Sequence, residues 1–96
     1  MDEIDFERLY DGLDRLRQKY RLSRGALNAR MVTSVIYDAL EDGLTSYQAT
    51  EIILNESIPS LNHYTLTTKV HFPYDLDIAV QKLLQKSGYP EPENYY

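Results

Sequence analysis

The chain has 96 residues, a formal net charge of -5 and no cysteine, and 43% of its residues are hydrophobic. This length suits one small hydrophobic core, and the lack of cysteine excludes a disulfide framework and thiolate metal ligands. No run approaches the roughly 20 apolar residues of a membrane span, and residues 1–5 are acidic where a secretory signal would be basic. We therefore expect one cytoplasmic domain over residues 1–89 that makes no contact with a membrane.

The first helix is predicted over about residues 3–21, because apolar side chains recur at spacings of three and four from Phe6 to Tyr20. Gly12 weakens the middle of this helix by roughly 1 kcal/mol relative to alanine, so packing must compensate. Ser23 is expected to cap a second helix that ends at Gly43. A short connection around Gly25 favours an antiparallel hairpin of these two helices.

A third helix is predicted over about residues 46–56, where Thr45 and Gln48 match a capping box. The residue types then change to strand formers: Tyr64, Thr65, Thr67, Thr68, Val70 and Phe72. We expect one short strand or extended segment near residues 64–72. A single strand has no obvious partner in the chain, so the alternatives are pairing across a dimer, a loop or a helix. A last helix starts at Asp75 or Asp77 and ends before Gly88.

The predicted fold is therefore mainly α, a small bundle of three to four helices with that one extended segment. Residues 90–96 contain two prolines and have no periodicity, which predicts a flexible acidic and aromatic tail. Tyr95 and Tyr96 end the tail and are candidate binding residues, because tyrosine gives a binding surface a large amphipathic area. The alternative is an unstructured end without a ligand.

Positive charge is concentrated in one block. Residues 15–30 hold six bases and no acid, whereas residues 1–14 hold six acids and one arginine, and residues 31–96 hold nine acids and three lysines. Such a block produces a local field that attracts phosphates or acidic surfaces. Its members are candidate binding residues: Arg15, Arg17, Lys19, Arg21, Arg24 and Arg30. The alternative is that they neutralise the acids of residues 1–14 or of the last helix.

No motif in the sequence specifies catalysis, so we expect a protein that is not an enzyme and needs no cofactor or metal. His63 and His71 could hold a divalent metal if a strand placed both on one face, but two partly exposed histidines are the simpler interpretation. A helix-turn-helix over residues 46–71 is a poor match, because its turn would be long and its recognition segment has one lysine.

These features predict a small, acidic, non-catalytic regulator or inhibitor that binds a protein partner. Proteins that handle nucleic acids are basic at their working clefts, so they suit an acidic binder. The alternative function is a helical nucleic-acid-binding regulator that uses residues 15–30. A homodimer is a further possibility, because a second copy could complete so small a core. A structural subunit of a larger assembly is a third functional class, since assembly surfaces use the same residue types.

Overall fold

Four α-helices account for most of the residues that a computed structural model describes, which are 3–68 and 73–91, with the side chains of 58–68 and 73–75 excluded. The helices are α1 (Phe6–Tyr20), α2 (Ala29–Glu41), α3 (Ser46–Thr68) and α4 (Pro73–Lys86). The prediction of a mainly α fold built as a small helical bundle is confirmed. Their order in space is α1, α4, α3, α2, because α1 packs against α4 and α3 lies between α4 and α2.

Helix α1 has the ends that its sequence favours. The Asp5 carboxylate accepts a hydrogen bond from the Arg8 N–H at 3.1 Å and so caps the first turn. Arg21 ends the helix in the left-handed conformation, with φ of 54°. Leu9 and Leu13 are fully buried on the side of α1 that faces the core, as the spacing of apolar residues predicts.

Helix α2 begins later than predicted, because Asn28 rather than Ser23 is its N-cap. The Asn28 Oδ1 atom accepts hydrogen bonds from the backbone N–H groups of Arg30 at 2.9 Å and Met31 at 3.2 Å. Residues 21–28 form a connection in which Leu27 has a φ of 51°. Its side chain is fully buried, and burial of a leucine contributes about 1.5–3 kcal/mol, which offsets a left-handed backbone cost of about 1–2 kcal/mol.

The predicted antiparallel arrangement of α1 and α2 is present, because Phe6 and Tyr10 of α1 meet Tyr37 and Thr33 of α2 in reverse order, although the backbone of α1 packs more closely on α4. Longer side chains still bridge α1 and α2. The Tyr10 hydroxyl lies 2.7 Å from Thr33 Oγ1, and the Phe6 and Tyr37 ring centroids are 5.9 Å apart. The connection of residues 21–28 therefore reverses the chain, and long side chains fill the space between the two helices.

Helix α3 continues to Thr68, so residues 64–68 are helical and not the strand or extended segment that was expected there. Residues 69–72 lie outside the described part of the chain. A lone strand would leave its backbone N–H and C=O groups unpaired, whereas a helix pairs them within the segment. This continuous helix also contains the residues at which a helix-turn-helix would need its turn.

Helix α4 begins at Pro73, which places Asp75 and Asp77 inside the helix instead of at its N-cap. Proline suits a first helical position because the N–H that it lacks would have no partner there. The helix ends at Lys86, and Gly88 follows with a φ of 101°, as predicted. The buried apolar residues of the four helices form one core with Ala26, Leu27 and Tyr89.

The segment after α4 is bound to the start of α3. The Tyr89 hydroxyl donates a hydrogen bond to the Leu44 carbonyl at 2.6 Å, and the Glu91 carboxylate accepts one from the Ser46 N–H at 3.1 Å. Residues 92–96, which include most of the predicted tail, lie outside the described residues. Within the ranges that are described, no helix is long and apolar enough to cross a bilayer.

Candidate functional site

Two surface grooves with opposite charge lie between neighbouring helices. The acidic groove, between α2 and α3, has a volume of about 370 Å³ and is lined by Met31, Ser34, Val35, Asp38, Ala39, Asp42, Leu44, Ile52 and Glu56. The basic groove, between α1 and α4, has a volume of about 300 Å³ and is lined by Gly12, Arg15, Leu16, Ala79, Lys82, Leu83 and Lys86. Each lining carries charge of one sign.

The acidic groove combines an apolar floor with carboxylates at its rim. Val35 and Ala39 contribute the buried floor, and Ile52 of α3 is 37% exposed beside them. Asp38 and Asp42 are one helical turn apart: the Asp42 backbone N–H donates to the Asp38 carbonyl at 3.0 Å. Because ionised carboxylates only accept hydrogen bonds, this groove suits a ligand with apolar groups beside lysine or arginine.

The basic groove also has an apolar floor, but the charged residues around it are cations. Leu83 of α4 packs onto Gly12 of α1 and forms the floor of the groove. Arg15, Lys82 and Lys86 supply three cations around this floor, and its lining contains no acid. An anionic group beside an apolar one would find suitable contacts there.

The structure divides the predicted basic block instead of presenting it as one site. Arg17 is held within the protein, because its guanidinium donates to the Leu27 carbonyl and forms an ion pair with Asp14. Arg15 lines the basic groove, while Lys19 lies 5.5 Å from the Tyr20 ring centroid. The remaining members are exposed near the α1–α2 connection: Arg21 at the end of α1, Arg24 in the connection and Arg30 in the first turn of α2.

The two interpretations of the block therefore apply to different residues. Arg17 neutralises an acid within the protein, because it pairs with Asp14. The other five are exposed, and no ion pair joins any of them to an acid within the described ranges. These five remain accessible to an external anion.

Several predicted positions lie outside the described side chains. Tyr95 and Tyr96 are among residues 92–96, and His71 is among residues 69–72. His63 lies in α3, so the strand face that would have paired it with His71 is not formed at His63. Among the described residues, no three His, Asp or Glu side chains lie close enough together to hold a metal ion.

Sequence reasoning missed the charged residues that line both grooves, except Arg15. Asp38 and Asp42, and likewise Lys82 and Lys86, are four residues apart, a spacing that places each pair on one side of its helix. That periodic signal is present in the sequence. Each groove forms only because a second helix packs beside the one that carries the pair. The sequence did not indicate that α1 packs beside α4.

Tyr47, at the start of α3, lies close to acidic side chains. It is 49% exposed, and the charge of Glu51, one turn along the helix, raises the pKa of its phenol, with smaller contributions from burial, a hydrogen bond to Glu51 and the charge of Asp77. Tyr47 is therefore a neutral hydrogen-bond donor at physiological pH.

Comparisons with protein-family models, curated proteins and solved structures return no match to this chain.

Proposed function

We propose that this protein is a small, non-catalytic regulator or inhibitor that binds a basic, amphipathic segment of a partner protein in its acidic groove. The observation that supports this proposal is the lining of that groove, in which Asp38, Asp42 and Glu56 accompany an apolar floor and no lysine or arginine takes part. A helix with one apolar side and flanking cations is a ligand that such grooves bind. The lack of cysteine suits a reducing cytoplasm as its location.

Apolar contact and charge have different roles in this proposal. Burial of apolar surface against Val35, Ala39 and Ile52 supplies affinity at roughly 25 cal/mol per Å² before the costs of association are subtracted. Exposed ion pairs add only about 0.2–1 kcal/mol each, but the acidic field speeds the encounter and selects basic partners. Binding should therefore weaken as salt rises, because salt screens exposed charges.

Proteins that handle nucleic acids are a natural class of partner. Their binding segments are rich in lysine and arginine because they contact phosphates. An acidic protein that occupies such a segment would prevent it from binding nucleic acid. Nucleic acid should then compete with this protein for the partner.

A synthetic lysine–leucine helical peptide tests the groove directly, with a glutamate–leucine peptide of the same length as the control ligand. Titration calorimetry would measure binding to the wild type and to Asp38→Asn/Asp42→Asn. The matched control is Glu7→Gln/Asp11→Asn, which also removes two exposed acids but lies on α1. We expect roughly tenfold weaker binding of the basic peptide to the groove variant, and unchanged binding to the α1 variant.

Equal loss in both variants would show that the peptide senses net charge and not the groove. Absence of binding to the wild type would also contradict the proposal. Ile52→Ser adds an apolar test at unchanged charge, and it should weaken the basic peptide as well because Ile52 lines the groove.

A second candidate function is nucleic-acid binding through the exposed members of the basic block. The specific observation in its favour is that Lys82 and Lys86 of α4 join Arg15 at the basic groove, which brings cations from outside residues 15–30 to one place. Against it stands the net charge of -5, which repels a polyanion beyond the groove.

Binding of a fluorescent oligonucleotide separates the two candidates. Arg15→Gln/Lys82→Gln removes two cations of the basic groove, and Arg24→Gln/Arg30→Gln removes two exposed cations that do not line it. If nucleic acid is the ligand of the groove, the first pair should weaken binding more than the second. A pull-down from cell lysate with and without nuclease should then recover a nuclease-sensitive partner instead of a nuclease-resistant protein.

A further inference from the structure

The outer side of α4 has the composition that the acidic groove is suited to bind. Ile78 is 53% exposed, and Lys82 and Lys86 follow at intervals of four residues, both exposed. Residues four apart on a helix lie on the same side of it. This outer α4 face, defined as Ile78, Lys82 and Lys86, therefore presents one apolar side chain in line with two cations, and the two lysines also lie at the edge of the basic groove.

The spacing of charges on this face matches that of the groove. Asp38 and Asp42 are also four residues apart, and a rise of 1.5 Å per residue separates each pair by about 6 Å along its helix. Two lysines at this interval can each meet one aspartate. Ile78 would lie about 6 Å beyond Lys82 on the same line, and the lining of the groove includes the exposed Ile52 and the half-buried Met31 as apolar contacts.

We propose that the acidic groove of one copy binds the outer α4 face of a second copy. This inference rests on the proposed function, because the same groove is the binding site. Ile78 packs against the apolar floor, and Lys82 and Lys86 pair with Asp38 and Asp42. The partner protein and the second copy then compete for one groove, so self-association holds the protein in a form that a basic partner must displace.

The geometry makes this contact heterologous, since a groove binds a helix face and not another groove. Each copy in a pair retains one free groove or one free α4 face, so association continues along an open chain unless the rotation between copies closes a ring. The net charge of -5 opposes association at long range, and salt screens that repulsion together with the attraction. Variants therefore test the contact better than salt does.

Two variants that each disable one half of the contact provide the test. Ile78→Ser/Lys82→Gln/Lys86→Gln changes the outer α4 face and leaves the groove intact, whereas Asp38→Asn/Asp42→Asn changes the groove and leaves α4 intact. The control variant is Arg24→Gln/Arg30→Gln, at exposed cations outside both surfaces. Thermal unfolding establishes that each variant folds, and sedimentation equilibrium over a range of concentrations measures mass.

We expect the mass of the wild type and of the control variant to rise with concentration. Each half-disabled variant alone should associate at least roughly tenfold more weakly, and their equimolar mixture should form a one-to-one dimer that grows no further. A wild type that stays monomeric overturns the inference, as does a mixture that stays monomeric. If the lysine–leucine peptide still binds to that monomer, the proposed function stands while self-docking fails; if the peptide does not bind, both fail.

Discussion

Leu83 of α4 occupies the space that Gly12 of α1 leaves open. A β-carbon at residue 12 would lie 3.0 Å from Leu83 Cγ, and both Leu83 methyl groups would be closer still. Glycine costs the interior of α1 about 1 kcal/mol relative to alanine, and the close contact of α1 with α4 compensates for that loss. The same pair forms the floor of the basic groove.

Gly12→Ala should therefore destabilise the protein although alanine is the better helix former. The gain in helix propensity is about 1 kcal/mol, and overpacking against Leu83 costs about 1–3 kcal/mol. We expect a net loss of about 1 kcal/mol in the free energy of unfolding, measured by urea denaturation.

When Leu83 is shortened, Gly12→Ala should raise the free energy of unfolding instead of lowering it. In a Leu83→Ala background the space is open, so Gly12→Ala should stabilise the protein by about 1 kcal/mol. The double-mutant cycle isolates this coupling. Stabilisation of similar size in both backgrounds would contradict the packing of Leu83 on Gly12.

Local patterns predicted those parts of the fold that depend on neighbouring residues in the chain. The apolar periodicity of α1 and α4 fixed their existence and their buried sides, and Gly43 and Gly88 both have the positive φ of a helix stop. These signals act within a few residues, so a single sequence contains all the information they need.

The errors occur where distant residues decide the local structure. Ser23 and Asn28 are both good N-cap residues, and local rules do not choose between them. The choice is linked to burial of Leu27, whose N–H donates to Ser57 Oγ at 3.2 Å, thirty positions away. The grooves share this origin, because Asp38 and Glu56 become neighbours only when α2 packs on α3.

The position of the α2 cap gives a second prediction. Asn28→Ala should lower the free energy of unfolding by about 1 kcal/mol, because the first N–H groups of α2 lose their acceptor. Ser23→Ala, the matched control, should change it by less than about 0.5 kcal/mol. Comparison of the two denaturation midpoints checks this expectation. A larger effect at Ser23 would indicate that Ser23, and not Asn28, is the N-cap of α2.

Two buried serines give a third prediction with opposite outcomes. Ser57 and Ser87 are each 2% exposed, but Ser57 Oγ accepts from the Leu27 N–H, whereas Ser87 Oγ has no hydrogen-bond partner in the described structure. Ser57→Ala leaves a buried N–H unpaired and should cost about 1–3 kcal/mol. Ser87→Ala removes an unsatisfied polar atom and should leave stability unchanged or raise it.

Thermal unfolding of both variants at pH 7 provides the measurement. The sign of the difference is the decisive quantity, since both substitutions remove the same hydroxyl from a buried site. Equal destabilisation by the two substitutions would mean that Ser87 has a partner or that the Ser57 bond contributes nothing.

Alkaline pH should expose the role of Tyr89 in joining the end of α4 to the α2–α3 turn. Its hydroxyl donates to the Leu44 carbonyl at 2.6 Å, and burial, followed by the charge of Glu91, raises the pKa of Tyr89 above the ordinary value of 10.0. The folded state therefore binds this proton more tightly than the unfolded state does. Its contribution to stability is complete below pH 10 and is lost as pH rises through the raised pKa.

Tyr89→Phe should separate this contribution from the other groups that titrate at high pH. At pH 7 it should cost about 1 kcal/mol for the lost hydrogen bond, and above about pH 10 the stability of the variant should decline less steeply than that of the wild type. Tyr37→Phe is the control, because Tyr37 is 59% exposed. An equal alkaline slope in the wild type and in Tyr89→Phe would show that ionisation of Tyr89 is not linked to unfolding.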